Sequence, residues 1–183
     1  MPLIYITGIS GSGKSTVMER LKSFGYETHG VDEEGYADWE NRQTGKIDDF
    51  PHDDKNLDLR KWYAEHYWVS SVPRIKQLAD EVNRAGKLVF LCGNAGSDHK
   101  VLGFFDKVIV LQIDNETLKY RLKTRTTNEY GKHEDELNEA LAWHVGLYDK
   151  YLAAGATLVD ATQPVDDVVA AILVLTDKVA NYE

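Results

Sequence analysis

The sequence predicts an α/β fold, a three-layer arrangement in which a parallel sheet is covered by helices on both faces. Three observations carry this. Short apolar runs recur with the composition of strands buried on both sides, at Leu3 to Thr7, Leu88 to Cys92, Val108 to Ile113 and Thr157 to Val159, with a less apolar fifth at Glu27 to Val31. Between these runs the hydrophobic period lengthens to that of a helix. Directly after the first run stands a glycine loop, Gly8 to Ser15, which opens a helical pattern at Val17, Met18, Leu21 and Phe24. Strands that alternate with helices need crossover connections, and crossovers make neighbouring strands parallel.

Further along, Val72, Ile75, Leu78, Ala79 and Val82 share one helical face, and Gly86 follows as a stop. After the fourth strand, Asp114 is placed to cap a helix on which Arg121 and Arg125 lie four residues apart. Leu137, Leu141, His144, Tyr148 and Tyr151 read as one face of a single helix. At the end of the chain Pro164 precedes Val165, Val168, Val169, Ile172 and Leu173. Asp166 and Asp167 fall in that first turn, where the helix dipole favours them. Residues 33–71 fit the alternation poorly. They are polar and aromatic, with turn signals at Gly35, Gly45 and Pro51, and read as an insertion that binds a substrate.

A chain of 183 residues suits one domain, 1–183, and no Pro/Gly/Ser-rich stretch marks a linker. The apolar share of 43% and charged share of 28% are those of a soluble globular protein. No run approaches the ~20 apolar residues of a membrane span, and the N-terminus lacks the basic region of a signal peptide. A cytoplasmic protein without a membrane partner is expected. The single cysteine, Cys92, excludes an internal disulfide, and its apolar neighbours read as core. A net charge of −9 without a basic run argues against nucleic acid as a partner. Neither His133 nor His144 has a partner at metal-ligand spacing.

The glycine loop is the most specific signal. Gly8-Ile9-Ser10-Gly11-Ser12-Gly13-Lys14-Ser15 fits G-x-x-x-x-G-K-[ST] at every fixed position, between a strand and a helix as the motif requires. Glycines let the backbone curl so that successive N–H groups face phosphate oxygens, and the following helix adds its positive end. Lys14 is then placed to reach the β- and γ-phosphates, Ser15 to hold Mg²⁺, and Thr16 to assist at the α-phosphate. ATP with Mg²⁺ is the expected nucleotide. No N-K-x-D guanine motif appears, though the sequence does not settle ATP against GTP.

The strand, Gly8 to Thr16, the helix and the short chain together resemble the P-loop kinases of small molecules: nucleoside monophosphate kinases and the related shikimate and gluconate kinases. The likeness runs in order through nearly the whole chain. It implies a five-stranded parallel sheet ordered 2-3-1-4-5, an acceptor-binding insertion at 33–71 and a lid at 121–133. The apolar strand at Leu88 to Cys92 is followed by Gly93-Asn94-Ala95-Gly96, with no carboxylate before Asp98, so the usual second magnesium ligand is missing there. In this respect the chain resembles shikimate kinase, whose corresponding glycine-rich turn lets substrate approach the backbone. Gly93 and Asn94 suit that use.

The resemblance moves the acid to Val31-Asp32-Glu33-Glu34, with Asp32 the choice for the metal and the acceptor proton and Glu33 beside it. A solvated turn or helix cap is the alternative for this acidic run. In the kinases it resembles, lid arginines do the work expected here of Arg121 and Arg125; as plain surface residues they would instead balance a helix dipole. Among the aromatics of 36–74, Trp62, His66 and Val69, or Trp68 and Val72, fall at helical spacing and suit core packing as well as ring stacking. Arg60 stands ready for an acceptor phosphate or carboxylate. In the kinases it resembles, the loop after the last strand lies against the adenine, which makes Ala161 to Pro164, with Gln163 and Pro164, the candidate base platform here. The expected activity is transfer of the γ-phosphoryl group of ATP to a small-molecule acceptor by a monomer or homodimer. The alternative is a nucleotide-binding switch or NTP hydrolase.

Overall fold

The structure, a computed structural model, describes residues 2–126 and 130–180, the last three without their side chains. β1 (Leu3–Thr7) runs into the glycine loop and α1 (Lys14–Ser23), which returns the chain to β2 (Glu27–Gly30). The insertion supplies β3 (Ala37–Asn41), β4 (Ile47–Asp48), α2 (Leu59–Glu65) and β5 (His66–Ser70). Then follow α3 (Val72–Ala85), β6 (Val89–Cys92), two short 3₁₀ turns, β7 (Lys107–Gln112), α4 (Asn115–Thr124), α5 (Glu134–His144), α6 (Leu147–Ala153), β8 (Thr157–Asp160) and α7 (Val165–Ala180).

The main sheet has the order β2-β6-β1-β7-β8, and every pairing is parallel. Counted among themselves, these five strands stand in the expected order 2-3-1-4-5. Side chains alternate between two cores. Ile4, Ile6, Phe90, Cys92, Ile109 and Leu111 face one side, under Val17 and Leu21 of α1, Leu118 and Leu122 of α4, and Val168, Val169 and Ile172 of α7. Leu3, Tyr5, Val89, Leu91, Val108 and Val110 face the other, under Ile75, Leu78 and Val82 of α3 and Tyr151 of α6. Burial on both faces is why the strands read as continuous apolar runs. Cys92 lies within the first core, where burial pushes its thiol up to about 12 and leaves it inert.

Two sequence expectations need correction. The face from Leu137 to Tyr151 belongs to two helices: α5 stops at His144, Val145 is extended, and Gly146 at φ 73° opens α6. The break lets the Tyr148 hydroxyl donate to the Ile113 carbonyl at 3.0 Å and accept from the Ile113 N–H at 2.9 Å. His144, buried, uses its two ring nitrogens on Asn115 and Tyr148, a structural role. The helical spacing of Trp62, His66 and Val69, and of Trp68 and Val72, is likewise coincidental past Glu65, because the chain becomes extended at His66 and forms β5. Trp62 and His66 still stack, with ring centroids 3.7 Å apart, across the junction of α2 and β5.

The insertion is an antiparallel sheet, β4-β3-β5, in which Trp39 stands opposite Trp68. Its anchor to the main body is β5. Gly96, in the loop after β6, donates to the Trp68 carbonyl at 2.7 Å and accepts from the Ser70 N–H at 2.9 Å. One turn further, the buried Asp98 accepts hydrogen bonds from Ser70 Oγ, Tyr5 OH and Tyr151 OH, so one carboxylate joins β5, β1 and α6. Burial raises its pKa above the usual carboxylate range although the three hydroxyls act the other way.

Candidate active site

At the C-terminal ends of the parallel strands lies an open cleft of about 760 Å³, bounded by Ser10 to Val17, by Asp32 and Glu33, by Arg121, Thr124 and Arg125, and by Ala161, Gln163, Val165 and Val168. The glycine loop forms its floor. Gly13 holds φ 105° as the residue that opens α1, and Gly11 holds φ 87° with the Leu122 side chain against it. These left-handed conformations turn the backbone amides inward at little cost only because the residues are glycine. α1 has no side-chain cap and no acidic residue in its first turn, whereas α4 is capped by Asp114 and α2 by Asp58. The first N–H groups of α1 are therefore left for a ligand.

Three cations surround this loop. Lys14 Nζ donates to the Gly8 and Ile9 carbonyls at 2.9 and 3.0 Å. Burial lowers its pKa to about 8; the Arg125 charge adds to that, and the Asp32 carboxylate opposes it. Arg121 bridges the loop and the end of β8, donating to the Ser12 carbonyl at 3.0 Å and the Ala161 carbonyl at 2.7 Å. Arg125, which caps α4, donates to Ser10 Oγ at 3.1 Å and to the Tyr130 carbonyl at 2.6 Å, and its Nε is buried without a partner. Among the described residues none of the three forms an ion pair with a carboxylate. The buried Ser12 Oγ also lacks a partner. Uncapped amides, cations with no carboxylate partner among the described residues and a buried hydroxyl without one together fit a polyphosphate.

The acidic side of the cleft is the turn after β2. Asp32 is exposed, and its Oδ1 accepts from Trp68 Nε1 at 2.9 Å. Glu33 also lines the cleft, its carboxylate folded back onto Gly30. Ser15 and Thr16 are exposed at the mouth of the loop, on the same cleft. Among the described residues no three His, Cys, Asp or Glu side chains gather as metal ligands. A metal here would thus take Ser15, Asp32 and ligand oxygens together, a donor set that suits Mg²⁺.

Other expected residues are placed differently. At Gly93 the side on which a Cβ would stand is filled by the Cβ of Val31, so its smallness serves the packing of the Val31 to Asp32 turn against β6. Asn94 reaches the loop itself, donating to the Gly8 carbonyl at 3.2 Å. Arg60 is exposed on α2 and does not line the cleft. Gln163 lines it, tied to Asp160 at 2.9 Å, whereas Pro164 turns its carbonyl to the first amides of α7. The expected lid includes residues 127–129, which lie outside the described residues. Sequence reasoning missed Thr124, which borders the cleft one turn after Arg121 and was legible from that spacing. It also missed the Trp68 to Asp32 contact, which has no local signal.

A glycine loop between the first strand and first helix of a 2-3-1-4-5 parallel sheet, met by arginines from the helix after the fourth strand, defines the fold of the P-loop small-molecule kinases. A family model described as AAA domain matches residues 4–143, and the chain belongs to that family. Among solved structures it is similar to shikimate kinase from Acinetobacter baumannii in complex with shikimate, at 17% identity over 97% of this chain and 95% of that one, TM-score 0.56. It is similar to a sugar kinase from Janibacter sp. HTCC2649 at 17% identity over 97% and 95%, TM-score 0.54. It is also similar to deoxyadenosine kinase from M. mycoides at 17% identity over 96% and 99%, TM-score 0.51. At these identities the likeness is one of fold. A search of curated proteins finds no match. Among the described residues no helix is long and apolar enough to cross a membrane.

Proposed function

We propose that this chain is an ATP-dependent phosphotransferase that moves the γ-phosphoryl group to a hydroxyl of a small molecule or to a nucleoside monophosphate. The observation that carries the reading is the division of charge in one cleft. Lys14, Arg121 and Arg125 stand around an uncapped helix start, and Asp32 stands across from them. Cations at the loop favour the triphosphate and the charge that develops on its transferring oxygens. A carboxylate on the far side favours a metal-held water and the proton of an attacking hydroxyl.

Each residue has a part in this scheme. The loop amides and Lys14 bind the β- and γ-phosphates; Ser15 and Asp32 would hold Mg²⁺, which offsets phosphate charge when bound. Arg121, with contacts on both the loop and Ala161, orients the nucleotide, and Arg125 faces the transferring group. The insertion offers an aromatic surface to the acceptor, in which Trp39 lies 4.8 Å from Trp68 and 5.5 Å from Tyr63 between ring centroids. The relatives named above take shikimate, a sugar or a nucleoside by their names, which defines the acceptors to try first.

The test is ATP turnover with and without pools of nucleosides, nucleoside monophosphates, sugars and hydroxylated acids. Turnover that depends on one acceptor class supports the reading. Hydrolysis at the same rate whatever is added would favour a hydrolase or a switch. Asp32→Asn, which keeps the shape and removes the charge, should bind ATP as the wild type does and transfer phosphate far more slowly.

A further inference from the structure

We propose that Trp68 is a positioning residue whose indole N–H fixes the Asp32 carboxylate for phosphoryl transfer, so that the inserted antiparallel sheet sets the geometry of the transfer site. The proposal rests on the role given to Asp32 above. Asp32 is an exposed side chain in a turn, held by backbone bonds from Glu34 N to Gly30 O and from Tyr36 N to Val31 O. Those bonds fix the turn and leave the carboxylate free to rotate. Among the described residues its side chain has one hydrogen bond, from Trp68 Nε1 to Oδ1 at 2.9 Å. Oδ2 is left for a metal-held water or an acceptor hydroxyl.

The donor is held more firmly than the group it orients. The Trp68 carbonyl accepts from Gly96 N at 2.7 Å, and a Cβ at Gly96 would stand 2.8 Å from that same oxygen, so the approach admits only glycine. The Trp68 ring packs on Trp39 with centroids 4.8 Å apart, and Trp39 stacks on Tyr63. Two residues on, Ser70 is tied to the buried Asp98, which also holds Tyr5 of β1. A continuous path of packed and hydrogen-bonded groups thus leads from the core of the main sheet through β5 to the carboxylate. The chemistry of the donor suits the task. An indole N–H donates and cannot accept, so it orients the carboxylate without competing for the acceptor's proton.

Two experiments on the full chain test this. The protein has four tryptophans, and each gives one indole N–H resonance in a ¹⁵N spectrum. Asp32→Asn should displace one of them, and Trp68→Phe should erase that same one. In steady-state kinetics Trp68→Phe keeps an aromatic ring against Trp39 and removes the donor. It should lower kcat by roughly ten- to hundredfold, the factor for one hydrogen bond to a charged group, and leave the KM for ATP unchanged. The double variant Trp68→Phe/Asp32→Asn should be no slower than Asp32→Asn alone, since both changes act through one carboxylate. A merely structural tryptophan would instead add its own loss. If Asp32→Asn is slow but displaces no indole resonance, or if the losses multiply, the positioning role is overturned while the reading of Asp32 stands. If Asp32→Asn turns over like the wild type, both fall. Should Trp68→Phe fail to fold, the displacement of one indole resonance by Asp32→Asn still decides whether the contact exists.

Discussion

Arg125 Nη1 donates to Ser10 Oγ across 3.1 Å, so the arginine that caps the C-terminal end of α4 already rests on the glycine loop. The same guanidinium holds the Tyr130 carbonyl through Nη2, and burial pulls it below its ordinary pKa. A lysine could supply the charge but not the planar fork that makes both contacts at once. Arg125→Lys is therefore expected to lower kcat by roughly ten- to hundredfold while the triphosphate Kd changes by less than about threefold. Parallel kinetics and calorimetry check this, and equal losses in both would place Arg125 in ground-state binding. Arg121 stands on the adjoining Ser12 carbonyl, so the losses of an Arg121→Lys/Arg125→Lys pair should be non-additive.

Lys14 carries a positive charge that burial disfavours, whose hydrogen bonds go to carbonyl oxygens and which the Asp32 carboxylate offsets only in part. Its pKa is about 8 in the fold against 10.5 for the free side chain. Below about 8 the amine is charged in both states, and the folded state bears the whole penalty. Between about 8 and 10.5 the unfolded chain holds more protons, so this penalty fades as pH rises. Lys14→Met should thus stabilise the ligand-free protein at pH 7 by on the order of 1 kcal/mol, discounted for the partial exposure of the side chain. The gain should disappear by about pH 10.5. The variant should also lose the thermal stabilisation that an unreactive ATP analogue gives the wild type. Melting curves across pH with and without the analogue test both statements, and a Lys14→Met protein less stable than wild type at pH 7 would contradict the first.

Asp98 accepts from three buried hydroxyls, and its removal takes that partner from each of them. Each unsatisfied buried hydroxyl costs about 1–3 kcal/mol, so Asp98→Ala should destabilise the protein by about 3 kcal/mol or more. Urea titration measures it. Hydrogen exchange should show the loss concentrated in β5, which keeps its Gly96 backbone bonds but loses the side-chain tie to β1 and α6, and uniform loss would argue that Asp98 serves the main core instead.

What the sequence made legible depends on how local each cause is. The glycine loop and the parallel strands are local: their signals are contiguous residues, and both survive intact from Leu3 to Ser15 and from Val89 to Cys92. The division of Leu137 to Tyr151 into α5 and α6 was hidden because five periodic positions outweighed the one contrary signal at Gly146. In the insertion, β3 reads Ala-Asp-Trp-Glu-Asn, too short and polar for a strand pattern. The stretch around Trp62 to Val72 carries helical spacing because aromatics are dense there. Asp98 and Asp32 were visible as carboxylates. Their partners were not, since Tyr5 and Tyr151 lie 93 and 53 residues from Asp98, and Trp68 lies 36 residues from Asp32.

Gly93 offers the sharpest check on how the acidic turn is placed. The sequence suggests a glycine that lets substrate approach, but the space beside it holds the Val31 side chain, one residue before Asp32. A methyl group at position 93 would meet both Val31 Cβ and Cγ2, and rotation of the side chain cannot relieve the clash, because Cβ itself stands in the way and is fixed to the backbone. The Val31 N–H is bound to the Cys92 carbonyl at 2.9 Å, so relief requires moving the turn that carries Asp32. Gly93→Ala is therefore expected to cost about 1–3 kcal/mol of stability and to lower kcat at saturating substrates, with the affinity for an ATP analogue nearly unchanged because the glycine loop is not displaced. Trimming the neighbour separates this from a substrate-clash account. Val31→Gly removes the colliding carbons and should restore much of the kcat lost in Gly93→Ala. Val31→Ala keeps Cβ and should restore much less. If Gly93→Ala instead raises the acceptor KM with kcat intact, and Val31→Gly rescues nothing, the glycine faces the acceptor after all.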